Sequence, residues 1–203
     1  YDNYAEVFDC LRRINVILVD LCQDMWMYIS RNILKQKVNK KEVGSSTMPH
    51  KINPINFENA EGNLLMANTM LEFFSRKLPV SRMQRDLTDS TVLRNVGSAF
   101  SYSLIAFNSL LDGLNKIEIN ELEINKELED NYMVIAEGIQ TRMKVLGIEG
   151  SYEKMKEITR NNNDSFQIKK ELNKFVESSG FSNEEKKYLK TITPFNYTGI
   201  YKL

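Results

Sequence analysis

The apolar positions in the first part of the chain recur with the spacing of amphipathic helices. Between Tyr4 and Leu34 they step by four and three residues, which predicts a long helix with a coiled-coil-like seam. The predicted inward positions of this helix are Val7, Leu11, Ile14, Leu18, Leu21 and Met25. Because no alternating strand pattern of useful length occurs in the sequence, we expect an all-α fold.

Two further long helices are predicted downstream. Asn53-Pro54 has the form of a helix start, with Asn53 as N-cap and Pro54 in the first helical position. This second helix continues to about Lys77 with the inward stripe Phe57, Ala60, Leu64, Ala67, Leu71 and Phe74. The third begins at Asp89 or Ser90, either of which could cap it, and its stripe is Leu93, Val96, Phe100, Ser103, Phe107, Leu110 and Leu114. Three long helices with short breaks predict a bundle.

After about Leu114 the predicted helices become shorter and more polar. They cover roughly residues 120–128, 132–146, 152–160, 164–178 and 183–189, and the glycines Gly147, Gly150 and Gly180 serve as predicted helix stops. We therefore divide the chain into residues 1–114, the end of a long helical bundle, and 115–203, a small helical domain.

The charge balance and composition exclude several classes of protein. Lys plus Arg and Asp plus Glu number 27 each, so no global field favours nucleic acid or an anionic membrane. One histidine and two cysteines leave no zinc-type ligand set. No secretory signal and no apolar stretch of membrane-spanning length occurs, so we expect a cytoplasmic protein.

The cysteines and the first residues carry two smaller expectations. Cys10 and Cys22 fall in one predicted helix, so a mutual disulfide is not expected and both should be reduced, buried thiols. The sequence opens on YDNYAEVFDCLRRI, without methionine and already close to a helical pattern, which predicts a fragment of a longer chain.

The connection before the second helix contains most of the candidate chemistry. From Gly44 to Pro54 it reads GSSTMPHKINP, with hydroxyls, a lysine and the single histidine ahead of a helix N-terminus. Free N–H groups and the positive end of the helix dipole favour an anion there, and Lys51 adds a full charge. The residues alone leave two interpretations open: a carboxylate or phosphate site, or a serine-rich loop with an ordinary cap.

The connection LPVSRMQRDLTD, before the third helix, is a second candidate anion site. Arg85 lies in this loop, while Ser90 and Arg94 are one helical turn apart and share a face. Arginines near a helix start suit bidentate binding of carboxylate or phosphate. The alternative, which composition alone favours, is a solvated ion-pair cluster of Arg85 or Arg94 with Asp86 or Asp89.

The motif GSSTMPHKINP closely resembles the signature loop of the fumarase/aspartase superfamily, whose pattern is approximately GSSxMPxKxNP. Within that superfamily, INFENAEGN and LPVSRMQRDLTDSTVLRN are similar to the adenylosuccinate lyase family, particularly its bacterial-type branch. The resemblance is strongest from Gly44 to Asn95 and extends to TPFNYTG near the end of the sequence.

This resemblance implies a homotetramer with a central superhelical bundle, in which each active site collects segments from three subunits. The implied reaction is an anti β-elimination of fumarate in purine biosynthesis, without metal or organic cofactor. The implied substrates are adenylosuccinate, which gives AMP, and succinylaminoimidazole carboxamide ribotide. Small nucleotides and copies of the same chain are thus the expected partners, and neither nucleic acid nor membrane is expected.

The resemblance also implies roles for individual residues. Ser45 matches the family's catalytic base, and a free serine needs local positive potential to act as one. The implied substrate-binding residues are Ser46, Lys51, Asn53, Asn59, Arg85, Ser90, Thr91 and Arg94. Lys51, Asn53 and the loop N–H groups can hold the charge of the developing carbanion. His50 matches a variable position and is expected to be a loop or substrate-side contact.

The family's general-acid histidine belongs to a segment N-terminal to this sequence, so the chain alone is expected to be inactive. Two alternatives stay open. The first is another enzyme of the superfamily, such as argininosuccinate lyase, which would differ at the second connection. The second is a non-catalytic helical assembly module. The sequence argues against it, because packing alone does not require the joint presence of Ser45, Lys51, Asn53 and the arginines.

Overall fold

The computed structural model describes residues 1–37, 53–160 and 165–199, which form two compact units, Tyr1–Asn120 and Glu121–Leu203. The first unit contains α1 (Asp2–Ser30), β1 (Leu34–Gln36), α2 (Ile55–Lys77), α3 (Thr88–Leu93), α4 (Val96–Asn115) and β2 (Ile117–Ile119). The second contains α5 (Glu121–Asp130), α6 (Ala136–Val145), α7 (Ser151–Arg160), α8 (Ser165–Ser178) and α9 (Asn183–Thr191). Helices dominate both units, which confirms the all-α fold class.

Helix α2 is the centre of the first unit and packs against both α1 and α4. Every position predicted for its inward stripe is buried: Phe57, Ala60, Leu64, Ala67, Leu71 and Phe74. Leu64 and Leu71 have no exposed surface, and burying a leucine side chain contributes about 1.5–3 kcal/mol. The sequence pattern therefore identifies the face of α2 correctly, because α2 has neighbours on two sides.

Small residues dominate the buried face of α4, on which Leu110 is the one large side chain. Its buried positions are Ala99, Ser103, Ala106, Leu110 and Gly113. Phe100 and Leu114 were predicted to point inward, yet they are 41% and 40% exposed. The reason is a close approach to α2, since a Cβ added to Gly113 would lie 3.0 Å from Cζ of Phe57. Side-chain size was thus the wrong guide to this face.

The buried face of α1 is not the predicted one, because at several turns the buried residue is the one that follows the predicted residue. Ala5, Phe8, Asn15 and Cys22 are buried, whereas Val7 and Ile14 are 53% and 46% exposed. Asn15 breaks the apolar pattern, so the sequence favoured its neighbour Ile14. Both cysteines are free, as expected, but Cys10 is exposed and only Cys22 is buried.

A short antiparallel pair of strands, not predicted from the sequence, joins the ends of α1 and α4. Leu34 lies opposite Ile119 and Gln36 opposite Ile117. The Nδ2 atom of the buried Asn120 closes the pair by donating to the backbone oxygen of Asn32 at 2.7 Å. Residues 115–120 therefore belong to the first unit, and the boundary between the units falls after Asn120.

The second unit has a hydrophobic core of its own. The buried residues contributed by its helices and the segments that follow them are Ile135, Ala136, Ile139, Met143, Met155, Ile168, Leu172, Val176, Phe181, Leu189 and Ile192. Gly147 ends α6 as predicted, with a φ of +68°. The N–H groups of Gly147 and Ile148 donate to Lys144 and Met143 oxygens at 3.1 and 2.9 Å, a Schellman motif that needs the left-handed residue.

Candidate active site

The N-terminus of α2 carries the only part of the signature loop that the structure describes. Asn53 is half-buried, and its backbone oxygen accepts from the N–H of Ile55 at 2.9 Å. Pro54, rather than Asn53, directly precedes the helix, and its oxygen accepts from Phe57 and Glu58. The predicted cap is therefore wrong by one residue, because helical geometry starts only at Ile55. Ser45, Ser46, His50 and Lys51 lie outside the described residues.

Asn59 lies on the exposed side of the second turn of α2. The Nδ2 atom of Asn63 donates to the backbone oxygen of Asn59 at 2.8 Å and to its Oδ1 at 3.3 Å. On the neighbouring turns, Trp26 Nε1 donates to Glu58 at 3.1 Å and Gln23 Nε2 to Glu61 at 2.9 Å. These bonds tie α1 to the first turns of α2, which lead out of the signature loop.

The second connection is held in an unusual backbone conformation. A 3-10 turn at Arg82–Gln84 contains Met83 with a φ of 49° and Gln84 with a φ of 58°. Such left-handed values cost roughly 1–2 kcal/mol per residue for side chains other than glycine. Met83 is also 99% exposed, so its own burial does not compensate for that cost. The turn directs the chain into Arg85, whose side chain is exposed.

The carboxylates of this connection pair with Lys77, at the end of α2. Nζ of Lys77 lies 2.9 Å from Oδ1 of Asp89 and 3.9 Å from Oδ2 of Asp86, and it donates to the oxygen of Val80 at 3.3 Å. Nε of Arg82 also lies 3.7 Å from Oδ2 of Asp86. The alternative left open by the sequence, an ion-pair cluster built on Arg85 or Arg94, is wrong, because these aspartates pair with Lys77 and Arg82 instead.

Asp86 also fixes the start of α3. Its Oδ1 accepts from the N–H of Thr88 at 3.0 Å. This hydrogen bond, with the charges of Arg82 and Lys77 adding to it, lowers the pKa of the Asp86 carboxyl below its ordinary value of 3.8. The predicted caps Asp89 and Ser90 are wrong, since α3 already begins at Thr88. The single long helix predicted here is divided as well, because α3 ends at Leu93 and α4 begins at Val96.

Both candidate arginines are available for a ligand. Arg85 and Arg94 are exposed, and within the described part of the chain neither side chain takes part in a hydrogen bond or ion pair. The carboxylates nearest to them in sequence, Asp86 and Asp89, already form ion pairs with Lys77. An unpaired guanidinium presents its planar set of donors to a carboxylate or phosphate.

Ser90 and Thr91 lie between these arginines, on exposed positions of α3. The Ser90 hydroxyl donates to the oxygen of Leu87 at 2.9 Å, which leaves its lone pairs as acceptors. The oxygen of Thr91 accepts from Asn95 Nδ2 at 3.1 Å. The structure thus groups Arg85, Ser90, Thr91 and Arg94 on one short segment.

Asn59 stands apart from this group. Across residues 1–37, 53–160 and 165–199, no hydrogen bond or ion pair joins it to Ser90 or to either arginine. The roles of all these residues in binding stay predictions. Sequence reasoning did not identify Lys77 as the partner of both aspartates. The available signal was a lysine in the last turn of a helix that runs directly into a loop with two carboxylates.

The described residues also bear on metal binding and on membrane insertion. Within that part of the chain, no group of three or more His, Cys, Asp and Glu side chains is placed to hold a metal ion. None of its helices combines the length and the apolar character that a membrane span requires.

Comparisons with known proteins identify the family. The model of the adenylosuccinate lyase C-terminal region matches residues 81–198, and a general lyase model matches residues 1–69. Adenylosuccinate lyase of Dictyostelium discoideum is 50% identical over 200 residues, which cover 98% of this chain and 43% of that protein. That of Escherichia coli K12 is 51% identical over 199 residues, with coverages of 98% and 43%.

The solved structures agree on the fold. A fumarate lyase:delta crystallin from Brucella melitensis superposes with a TM-score of 0.62 at 16% identity, covering 92% of this chain and 39% of that one. At such low identity the likeness concerns the fold alone. The sequence relatives are much nearer, and the chain spans less than half of their length. With the C-terminal family model matching more than half of its residues, this chain belongs to the adenylosuccinate lyase family.

Proposed function

We propose that this chain is part of a lyase that eliminates fumarate from adenylosuccinate, giving AMP, and from succinylaminoimidazole carboxamide ribotide in purine biosynthesis. Relatives at 50% and 51% identity carry the name of that enzyme. The structural observation that carries the proposal is that Arg85 and Arg94, on the same short segment as Ser90, have exposed side chains, while the carboxylates of that segment pair with Lys77 and Arg82.

The proposed substrates match this segment in charge. A succinylated nucleotide has two carboxylates and a phosphate, and each of these groups accepts the paired hydrogen bonds that a guanidinium donates. Arg85 and Arg94 would hold these anions, with the Ser90 hydroxyl as a further contact. Surface ion pairs would be weak in water, so we expect the site to close around the substrate with segments of other subunits.

The proposed chemistry is divided between the two connections. Ser45 would remove the proton from the succinyl β-carbon, and the electron pair would delocalise into the adjacent carboxylate. Lys51, Asn53 and backbone N–H groups would stabilise that charge, which is usually the largest contribution to catalysis. A general acid outside this chain would protonate the departing nitrogen as the C–N bond breaks and fumarate leaves. Proton transfer and charge stabilisation require no metal or organic cofactor.

A homotetramer is the proposed assembly. Each long helix of the first unit has apolar residues on its outward side: Val16 and Ile17 on α1, Leu65 and Met66 on α2, and Leu104 and Leu111 on α4. They are between 50% and 69% exposed in the single chain. Large exposed apolar faces mark interfaces with other chains. Further copies of the bundle would cover these faces and complete each active site. A cytoplasmic location stays a prediction.

The test is a direct assay of the complete protein that contains this chain. Adenylosuccinate, succinylaminoimidazole carboxamide ribotide and argininosuccinate are supplied separately, and fumarate release is measured. We expect fumarate from the first two only. Fumarate from argininosuccinate alone would establish the alternative superfamily enzyme, and no release from any of them would favour the assembly module. This chain alone should be inactive, and adding the N-terminal part of the protein should restore some activity.

A further inference from the structure

Lys77 lies outside the set of residues expected to bind substrate, yet it contacts that set's immediate neighbours. It is the last residue of α2, and its side chain is 24% exposed. Its ammonium group contacts both aspartates of the second connection, and the side chains of Asp86 and Asp89 are only 10% and 8% exposed. A shielded carboxylate without a cation is costly, so each aspartate needs a partner in the folded protein.

The carboxylates have a second set of possible partners close by. Arg85 precedes Asp86 directly and lies four residues before Asp89. Without Lys77, the nearest cations in sequence would be Arg85 and Arg82 for Asp86, and Arg85 and Arg94 for Asp89. Arg82 already pairs with Asp86, and Arg85 is the one arginine of the three that is near both carboxylates in sequence, so Arg85 is the one that would change partners. A guanidinium engaged by a carboxylate of its own chain has fewer donors for a ligand.

Lys77 also acts where the backbone is strained. It donates to the oxygen of Val80 on one side of the left-handed residues Met83 and Gln84 and pairs with Asp86 and Asp89 on the other. The lysine therefore joins both ends of the turn that leads into Arg85. Strained backbone persists only where its surroundings determine it, and these contacts of Lys77 span the strained turn.

We infer that Lys77 is a positioning residue of the active site: it occupies Asp86 and Asp89 so that the guanidinium of Arg85 stays free for the anionic substrate. This inference rests on the proposed function. It does not require Lys77 to touch the substrate. It assigns the lysine, at the opposite end of α2 from the signature loop, a role in substrate affinity.

The experiment compares variants of the complete enzyme on adenylosuccinate. Lys77→Met should raise KM about tenfold with a smaller change in kcat, because ground-state binding is what is lost. Lys77→Arg keeps the charge and should stay within about twofold of wild type. The decisive variant combines Lys77→Met with Asp86→Asn and Asp89→Asn. With no carboxylate left to capture Arg85, KM should return close to the wild-type value. The amide oxygen that Asp86→Asn introduces can still accept from the N–H of Thr88.

Lys190→Met is the matched control, since Lys190 pairs with Glu177 on the surface of the second unit. It should leave KM unchanged. A Lys77→Met enzyme with wild-type KM overturns the inference, and so does a triple variant that folds but keeps the raised KM, because the lysine would then serve stability alone. Should Lys77→Met not fold, Lys77→Gln takes its place, and the same two outcomes decide. A wild-type enzyme without lyase activity would instead refute the proposed function.

Discussion

Asn15 of α1 and Ser103 of α4 form a hydrogen bond inside the core of the first unit. Nδ2 of Asn15 lies 3.0 Å from Oγ of Ser103, and that hydroxyl donates to the oxygen of Ala99 at 3.2 Å. Asn15 has no exposed surface and Ser103 is 2% exposed. Within the described residues, Oδ1 of Asn15 has no hydrogen-bond partner. A single buried polar pair of this kind selects one register between two helices at a cost in stability.

Ser103→Ala should destabilise the protein by about 1–3 kcal/mol, because it leaves the Asn15 amide buried without its acceptor. Combining Ser103→Ala with Asn15→Leu removes both polar groups, so the double variant should be more stable than Ser103→Ala alone. Denaturant midpoints at one fixed protein concentration measure both effects. A double variant that is less stable than Ser103→Ala would show that packing, and not the polar pair, dominates at this position.

The sequence predicted the buried faces of the three long helices with unequal success. On α2 every predicted inward position is buried, because the helix packs on two neighbours and its apolar stripe faces them. On α1 the pattern pointed to Ile14, and the chain buries Asn15 beside it. On α4 it pointed to Phe100, and the chain buries Ala99. The exposed apolar residues form a second apolar face on these helices, and the pattern of a single sequence does not separate that face from the buried one.

The candidate site was predictable to a similar extent. Spacing placed Ser90 and Arg94 one helical turn apart with Arg85 just before them, and the structure has Ser90 in α3 and Arg94 directly after its last residue. The role of these residues in binding stays a prediction. The pairing of charges was not predictable, since Lys77 lies twelve residues from Asp89 and meets it only through the fold of the connection. The left-handed backbone of Met83 and Gln84 was not predictable either, because neither residue is a glycine or an asparagine, the types that usually adopt it.

Arg94→Lys should lower kcat/KM on adenylosuccinate by about ten- to hundredfold, equivalent to ~1.4–2.7 kcal/mol. Lysine keeps the charge but loses the planar fork of donors that a carboxylate or phosphate accepts. Steady-state kinetics of the complete enzyme measure the loss, and Arg82→Lys is the matched control, since Arg82 pairs with Asp86. Unchanged kinetics and unchanged stability in Arg94→Lys would remove that residue from the binding site.

The exposed faces of the bundle predict the effect of a charge on assembly. Light scattering of the complete protein should show a tetramer at micromolar concentration. Ile17→Glu should reduce the measured mass of the assembly. Ile17 is 69% exposed on the apolar side of α1 in the single chain, and a carboxylate that the assembly buries there would lack a partner. Leu122→Glu is the control, in the second unit, at a position that is 81% exposed. A wild-type protein that is only monomeric would contradict the proposed assembly.

Cys22 should resist alkylation in the native protein. Burial, with the charge of Glu61 adding to it, raises the pKa of its thiol to about 11. Less than about 0.1% of such a thiol is ionised at neutral pH, and the thiolate is the reactive form. Alkylation at pH 7.4 followed by peptide mapping should label Cys22 only after denaturation. Equal labelling rates in the native and denatured protein would mean that α1 opens readily at this position.

The signature loop gives the sharpest test of the assigned chemistry, because two of its residues could move a proton. If Ser45 is the base, Ser45→Ala should lower kcat by at least the ~10²–10⁴-fold that general base catalysis contributes. Substrate binding should change little, since one hydroxyl is lost from a site that several charges hold. His50→Gln keeps a polar group of similar reach and should cost much less, because the proposed acid lies outside this chain.

The two variants are informative only in comparison. Turnover of adenylosuccinate is measured for both, with substrate binding determined separately and with helix content and tetramer mass confirmed first, because a mutation in a loop bounded by Gly44 and Pro54 can disturb assembly. Normal turnover in Ser45→Ala together with an inactive His50→Gln would reverse the assignment and make His50 the base. Activity in both would mean that the loop closes over the substrate without supplying a proton-transfer group. Loss in Ser45→Ala with activity kept in His50→Gln agrees with a serine base and with an acid in another segment of the enzyme, whereas loss in both would make His50 the candidate acid.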